Sequence, residues 1–324
     1  MEKIIISVIF VVIFAILAGC GTSSIAPMEL ISRGLPAYTN ENCESMKPPS
    51  AANSADYSEY WRSCSIPQKG ASVWLAYDLS AVEEKKREKI IVVWYNDDTS
   101  PYDHTLITAQ ESPGYNNIRD YTIEANEAGG QDLPEEGWVK LVSVEGNTFH
   151  SRQHLLNLKG YNSIRINCTA SDGSKDNMNV SFKMDVYDAS TGGNDNWIFY
   201  GDSITQMSMH HRPFKCSLGE GSFSMLINGK KPGYFPLQEN GGTGYMTSAD
   251  GAKNIEKWLE IFPGRYVALG YGTNDAWSGM APEDFYYNHE IMVKAVLKAG
   301  KVPLVPKNTL VINTAGNTGK RGKA

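Results

Sequence analysis

Two different periods run along the chain of 324 residues. Between 71 and 190 apolar side chains recur at every second position. In 161–169, Ile164, Ile166 and Cys168 point one way and Ser163, Arg165 and Asn167 the other, and Val180, Phe182, Met184 and Val186 repeat the pattern. A period of two sends successive side chains to opposite faces, so each stretch predicts a strand with one buried face. The stretches 72–79, 89–95 and 138–144, rich in β-branched and aromatic residues, predict three more. The charged run 83–88 between two of them reads as a solvated turn. Evenly spaced strands parted by turn residues suggest a β-sandwich over 71–190, either purely structural or sugar-binding.

Ser190-Thr191-Gly192-Gly193-Asn194-Asp195-Asn196 reads as a turn-rich linker, and after it the pattern changes. Trp197-Ile198-Phe199-Tyr200 is an apolar run that reads as a buried strand. In 254–262, Ile255, Trp258, Leu259 and Phe262 fall at helical spacing, and Pro263-Gly264 ends that helix. The stretch 266–270 predicts a second strand. Pro282 opens a second helix with Phe285, Met292, Val293, Val296 and Leu297 inward and Gly300 as its stop; 302–305 is a third strand. Alternating strands and helices imply a parallel sheet, whose ligands sit at the carboxyl ends of the strands.

The ends of the chain differ from both. Glu2 and Lys3 precede an apolar run over 4–16 that is shorter than the roughly 20 residues of a membrane-spanning helix, so it reads as a signal peptide. Leu17-Ala18-Gly19-Cys20 looks like a bacterial lipobox. That resemblance implies removal of 1–19, lipid on the sulfur of Cys20, and an exported protein anchored to a bacterial membrane. The Ser-, Pro-, Asn- and Ala-rich stretch 20–70 reads as a tether, and 307–324 as an unstructured tail.

Composition narrows the function. A formal net charge of -6 argues against nucleic acid as a partner. Export permits disulfides among Cys43, Cys64, Cys168 and Cys216, which allow three pairings; Cys43 with Cys64 is the first choice, and Cys168, alternating with apolar residues, suits a buried free thiol. No cysteine–histidine spacing suggests a zinc site, and no cofactor is implied.

The chemistry centres on Gly201-Asp202-Ser203 after the first strand of the second region. A glycine turn there lifts a serine hydroxyl off a strand end to where a helix starts, and backbone N–H groups at such a place favour developing negative charge. Gly270-Tyr271-Gly272-Thr273-Asn274-Asp275 follows another strand, and Asn240-Gly241-Gly242-Thr243-Gly244-Tyr245-Met246-Thr247-Ser248 lies between them. The three segments resemble the conserved blocks of the SGNH (GDSL-type) hydrolases. The resemblance implies an α/β flavodoxin-like domain over 197–306 and a serine esterase acting on acylated carbohydrate or another ester. It makes Ser203 the nucleophile, Asp202 the support of the turn, Asn274 the side-chain donor to the oxyanion, and Gly244 the backbone donor, with Tyr245 as the near alternative. The all-β region is similar in pattern to the jelly-roll modules that precede some carbohydrate-active members.

One block is missing. The family's base is a histidine three residues after an aspartate. The residues three before His104, His150, His154, His210, His211 and His289 are Pro101, Asn147, Ser151, Met207, Ser208 and Tyr286, none of them acidic. The domain therefore reads as truncated at its C-terminal side and its hydrolysis as impaired. That leaves a non-catalytic glycan-binding lipoprotein, or a truncated pseudoenzyme, as the other reading. His289, four residues after Phe285 on the inner stripe of its helix, reads as a packed structural histidine.

Overall fold

The computed structural model describes residues 27–41, 47–55, 59–64, 71–96, 117–130, 133–147, 149, 151–171, 179–207, 227, 229–232 and 234–305. The expected signal peptide, Cys20, Cys43, Cys216, His104, His150, His210, His211 and the tail lie outside these residues.

Ten strands before residue 190 make two antiparallel sheets among the described residues. They are β1 (Glu29–Leu30), β2 (Ala37–Thr39), β3 (Trp61–Arg62), β4 (Val73–Asp78), β5 (Lys89–Tyr95), β6 (Ile118–Asn126), β7 (Val139–Val144), β8 (Ser151–Asn157), β9 (Ser163–Ser171) and β10 (Ser181–Asp188). One sheet runs β1-β10-β5-β8, with β3 also on β10; the other runs β2-β4-β9-β6-β7. Between them lies one apolar core that includes Leu75, Tyr77, Val92, Trp94, Ile123, Ile164, Ile166, Phe182 and Met184. Such burial is the main favourable term in holding two sheets together. Cys168 is a free, buried thiol, as the alternation predicts, and burial pushes its pKa up; Cys64 is disulfide-bonded.

Three expectations need correction. The charged run 83–88 contains a one-turn helix, α1 (Glu84–Arg87), rather than a plain turn. Strand β10 is buried on both faces, because residues 27–41, 47–55 and 59–63, expected as part of a tether, fold over it. There β1 and β3 pair with β10, and the Lys183 ammonium donates to the carbonyls of Ala51 (3.1 Å), Ser54 (3.1 Å) and Glu59 (2.7 Å). A buried ammonium needs such partners, and here they come from the "tether" backbone. The turn-rich 190–196 is also no free linker, since Asp195 is fully buried and its Oδ1 accepts the Met28 N–H at 2.7 Å.

After residue 195 come β11 (Asn196–Gly201), α2 (Ser203–Met207), β12 (Leu237–Gly242), α3 (Ser248–Ile261), β13 (Tyr266–Gly270), α4 (Thr273–Ser278), α5 (Pro282–Lys298) and β14 (Val302–Leu304). Every strand pair is parallel, in the order β12-β11-β13-β14. Ile198, Tyr200, Val267 and Leu269 pack against Ile255, Trp258, Met292 and Val296 of α3 and α5. Helix α3 starts at Ser248, six residues before the periodicity alone would put it. Thr247 and Asp250 form a reciprocal capping box there that satisfies otherwise orphaned N–H groups. Leu297, expected inward, is exposed, and His289 holds the inner stripe instead.

Candidate active site

The parallel register fixes where the site lies. Gly201, the last residue of β11, is level with Gly242 on β12 and with Gly270 on β13. All three sequence blocks therefore leave the sheet at one rim, at the carboxyl ends of adjacent strands. The first strand lies between the second and third, so the order reverses beside β11, where doubly wound sheets open a crevice.

The strand ends approach so closely that only glycine fits at two positions. A Cβ on Gly201 would lie 2.1 Å from Thr205 Oγ1 and 2.8 Å from the Gly270 carbonyl oxygen. One on Gly242 would lie 2.2 Å from the Gln206 nitrogen. Ser203, the first residue of α2, is half-buried, and its side chain makes no hydrogen bond among the described residues.

Asp202 ties the first loop to the third. It is buried, its Oδ1 accepts the Ile204 N–H at 2.9 Å, and its carboxylate also accepts from the Thr273 side chain and the Thr205 N–H. Burial raises its pKa to about 6, and the nearby Asp275 adds to the rise. Asp275 in turn accepts from Ser248 N–H (2.9 Å) and Ser248 Oγ (2.5 Å), which holds the start of α3 against α4.

The second loop is fastened to the first by Gln206. Its backbone carbonyl accepts from Asn240 Nδ2 at 2.6 Å, and its Oε1 accepts the Gly244 N–H at 2.9 Å. The Thr243 N–H donates to the Gly201 carbonyl at 3.0 Å. The Gly244 N–H is thus already engaged, which corrects its assignment as the backbone donor. Tyr245, the near alternative, has a positive φ of 64°. Gln206 escaped the sequence reading because its partner lies 38 positions away.

Asn274 donates through Nδ2 to the Met246 carbonyl at 2.9 Å, joining the third loop to the second. An amide nitrogen carries two hydrogens, and this bond takes one. Neither described histidine bonds to Ser203. His289 is buried against the rings of Phe285 (4.2 Å) and Tyr271 (6.4 Å), and its Nδ1 donates to the Phe285 carbonyl at 3.0 Å. Burial lowers its pKa, so the ring is neutral. His154 lies in the sandwich, 2.8 Å from Tyr121 OH, with its pKa lowered to about 4 by burial. Among the described residues no cluster of three or more His, Cys, Asp or Glu suits a metal ion.

No protein-family model matches this chain, and no curated protein matches it. Solved structures give partial likenesses of two kinds. Chitosan-binding module 1 of a chitosanase/glucanase from Paenibacillus sp. IK-5 is 11% identical, over 49% of this chain and 98% of the module, with a TM-score of 0.34. The family 32 carbohydrate-binding module of EndoD from Streptococcus pneumoniae is 15% identical, over 49% of this chain and 99% of its own, with a TM-score of 0.34. AlinE4, an SGNH-hydrolase family esterase, is 20% identical over 35% of this chain and 59% of its own, with a TM-score of 0.28.

Proposed function

We propose that the chain is an SGNH-type serine esterase acting on acyl groups of carbohydrate, exported and lipid-anchored through Cys20, and impaired in hydrolysis because none of its six histidines follows an acidic residue by three positions. One observation carries the reading: the loops bearing Ser203, Tyr245 and Asn274 leave the sheet level with one another at Gly201, Gly242 and Gly270. Ser203 Oγ attacks the ester carbonyl. The negative oxygen that forms is held by the N–H groups of Ser203 and Tyr245 and by the Asn274 amide; the intermediate collapses with loss of the sugar hydroxyl, leaving the acyl group on Ser203, and water then releases it as a carboxylic acid. By comparison with other such sites, each donor lost raises the barrier by about 3 kcal/mol. Asp202 acts on the position of Ser203, through the turn, and not on the substrate.

The missing step is proton removal from Ser203. Exogenous imidazole is a small base that can stand in for a lost side chain. The chain alone is expected to hydrolyse p-nitrophenyl acetate weakly, with Ser203→Ala changing little. Added imidazole should speed the unmodified chain above the Ser203→Ala variant, whose rate measures imidazole acting by itself. Equal rates for the two with imidazole would sink the esterase reading. Strong turnover without imidazole, lost in Ser203→Ala, would instead overturn the missing base. The anchor has its own test. A palmitate label should enter the full chain made in a lipoprotein-processing bacterium and be absent from Cys20→Ser; equal labelling of both would remove it.

Non-catalytic glycan binding through the sandwich is favoured by one feature. On the outer face of the β2-β4-β9-β6-β7 sheet the Arg165 guanidinium lies over Trp138 (4.2 Å) and Trp74 (5.6 Å), beside Glu124. Rings held in this way resemble a stacking surface, and the titration below separates it from the rim of the parallel sheet.

A further inference from the structure

Each loop that carries the proposed chemistry also puts one large apolar side chain into solvent. Ile204 is 59% exposed, Tyr245 59% and Trp277 76%. Scattered exposed apolar residues need no explanation, but three at one rim do. Trp277 follows Asn274 by three positions on α4, so the two side chains share a helix face. Tyr245 is brought to the same place through its neighbour, because the Met246 carbonyl accepts from the Asn274 amide. The φ of 64° at Tyr245 is one that a bulky residue adopts only under strain, where glycine would be relaxed. An aromatic ring is thus kept at a conformational cost beside the proposed oxyanion donors.

We propose that Tyr245 and Trp277 form an aromatic platform that takes the sugar ring of an acylated, uncharged carbohydrate and turns its ester toward Ser203. This rests on the esterase reading and names its substrate class. Flat aromatic faces offer large contact area with little entropy loss, and they suit the C–H faces of a pyranose. Asn274 and Thr273, on the same short helix as Trp277, are polar groups that suit its hydroxyls. Charge selects an uncharged ligand. From 266 to 293 the chain has no lysine or arginine, and the exposed Glu283 and Asp284 open α5 close by. An anionic sugar, a phosphate or an anionic lipid surface would meet repulsion from these carboxylates, with no cation from 266 to 293 to offset it.

Both rings are exposed, so their removal leaves the core intact. The probe is partially acetylated xylohexaose titrated calorimetrically into the full chain, with Trp277→Ala and Tyr245→Asn as variants; asparagine tolerates the positive φ. Each substitution should weaken binding about tenfold. Binding that is absent in the unmodified chain overturns the proposal. So does binding that survives both substitutions together, or that is lost only in a Trp74→Ala, Trp138→Ala chain. Rim-dependent binding without Ser203-dependent rescue by imidazole would keep the platform and sink the esterase. Ser203-dependent rescue with binding indifferent to the rim would do the reverse.

Discussion

At the scale of single residues, burial sets Asp202 apart. With its pKa raised from 3.8 to about 6, the folded chain holds a proton that the unfolded chain has lost between those values. Stability therefore falls as pH rises from about 4 to about 6, by about 3 kcal/mol, and stays level above. Asp202→Asn keeps an acceptor for the Ile204 N–H and removes the charge. Chemical denaturation of both forms from pH 4 to pH 7 should show the variant gaining on the unmodified chain by that amount; parallel curves would mean that Asp202 ionises at no cost. The residue types of this site were legible in the sequence as short motifs after apolar runs. What was not legible is which N–H is already engaged. Gly244 reads as the natural donor because glycine is permissive, yet its hydrogen goes to Gln206 and the positive φ falls on Tyr245.

Elements were legible where the period ran unbroken. Strand β5 (Lys89–Tyr95) and strand β13 (Tyr266–Gly270) occupy the stretches their apolar residues marked. Strand β8 was missed because polar Ser151 and Gln153 fill buried places in it, which breaks the alternation; β6 alternates only from Tyr121 to Asn126, and its start is irregular where the pairing with β9 shifts register around Asp120. The early start of α3 was in principle readable from Thr247 and Asp250, a capping pair three apart. The contact between β12 and α2 was not, since it depends on two backbones meeting at Gly242. A Cβ there would lie 2.2 Å from the Gln206 nitrogen and 2.6 Å from the Thr205 carbonyl carbon, both backbone atoms that cannot swing aside. Gly242→Ala should therefore cost about 3 kcal/mol in urea unfolding. Gly192→Ala, at a φ of 71° with open space around it, should cost only about 1 kcal/mol. Equal losses at the two positions would show that the rim relaxes around the added methyl.

At the scale of the whole molecule, the change of period near 196 coincides with the passage from antiparallel to parallel pairing. It carried no sign that the two are joined, because the joining groups are polar and far apart in sequence. Glu239 of β12 is the centre of that joint. It is fully buried, Gln153 Nε2 of β8 donates to its Oε2, and Gln153 also exchanges hydrogen bonds with Asn196 at 3.0 and 2.6 Å. Glu239 Oε1 has no hydrogen-bond partner among the described residues. Burial raises its pKa from 4.5 to about 8, opposed by the Gln153 bond and by Lys301 and Arg152. The sign is again that of an acid held protonated by the fold. Stability falls as pH rises from about 4.5 to about 8, and above that the joint carries a buried charge that Lys301 and Arg152 offset only in part. Glu239→Gln removes the charge and leaves an acceptor for Gln153. Calorimetry should give one unfolding transition for both forms at pH 5. At pH 9 the unmodified chain should melt lower and split into two transitions, while Glu239→Gln keeps one. Two transitions at pH 5, or identical traces at pH 9, would mean that the sheets fold independently and that Glu239 does not join them.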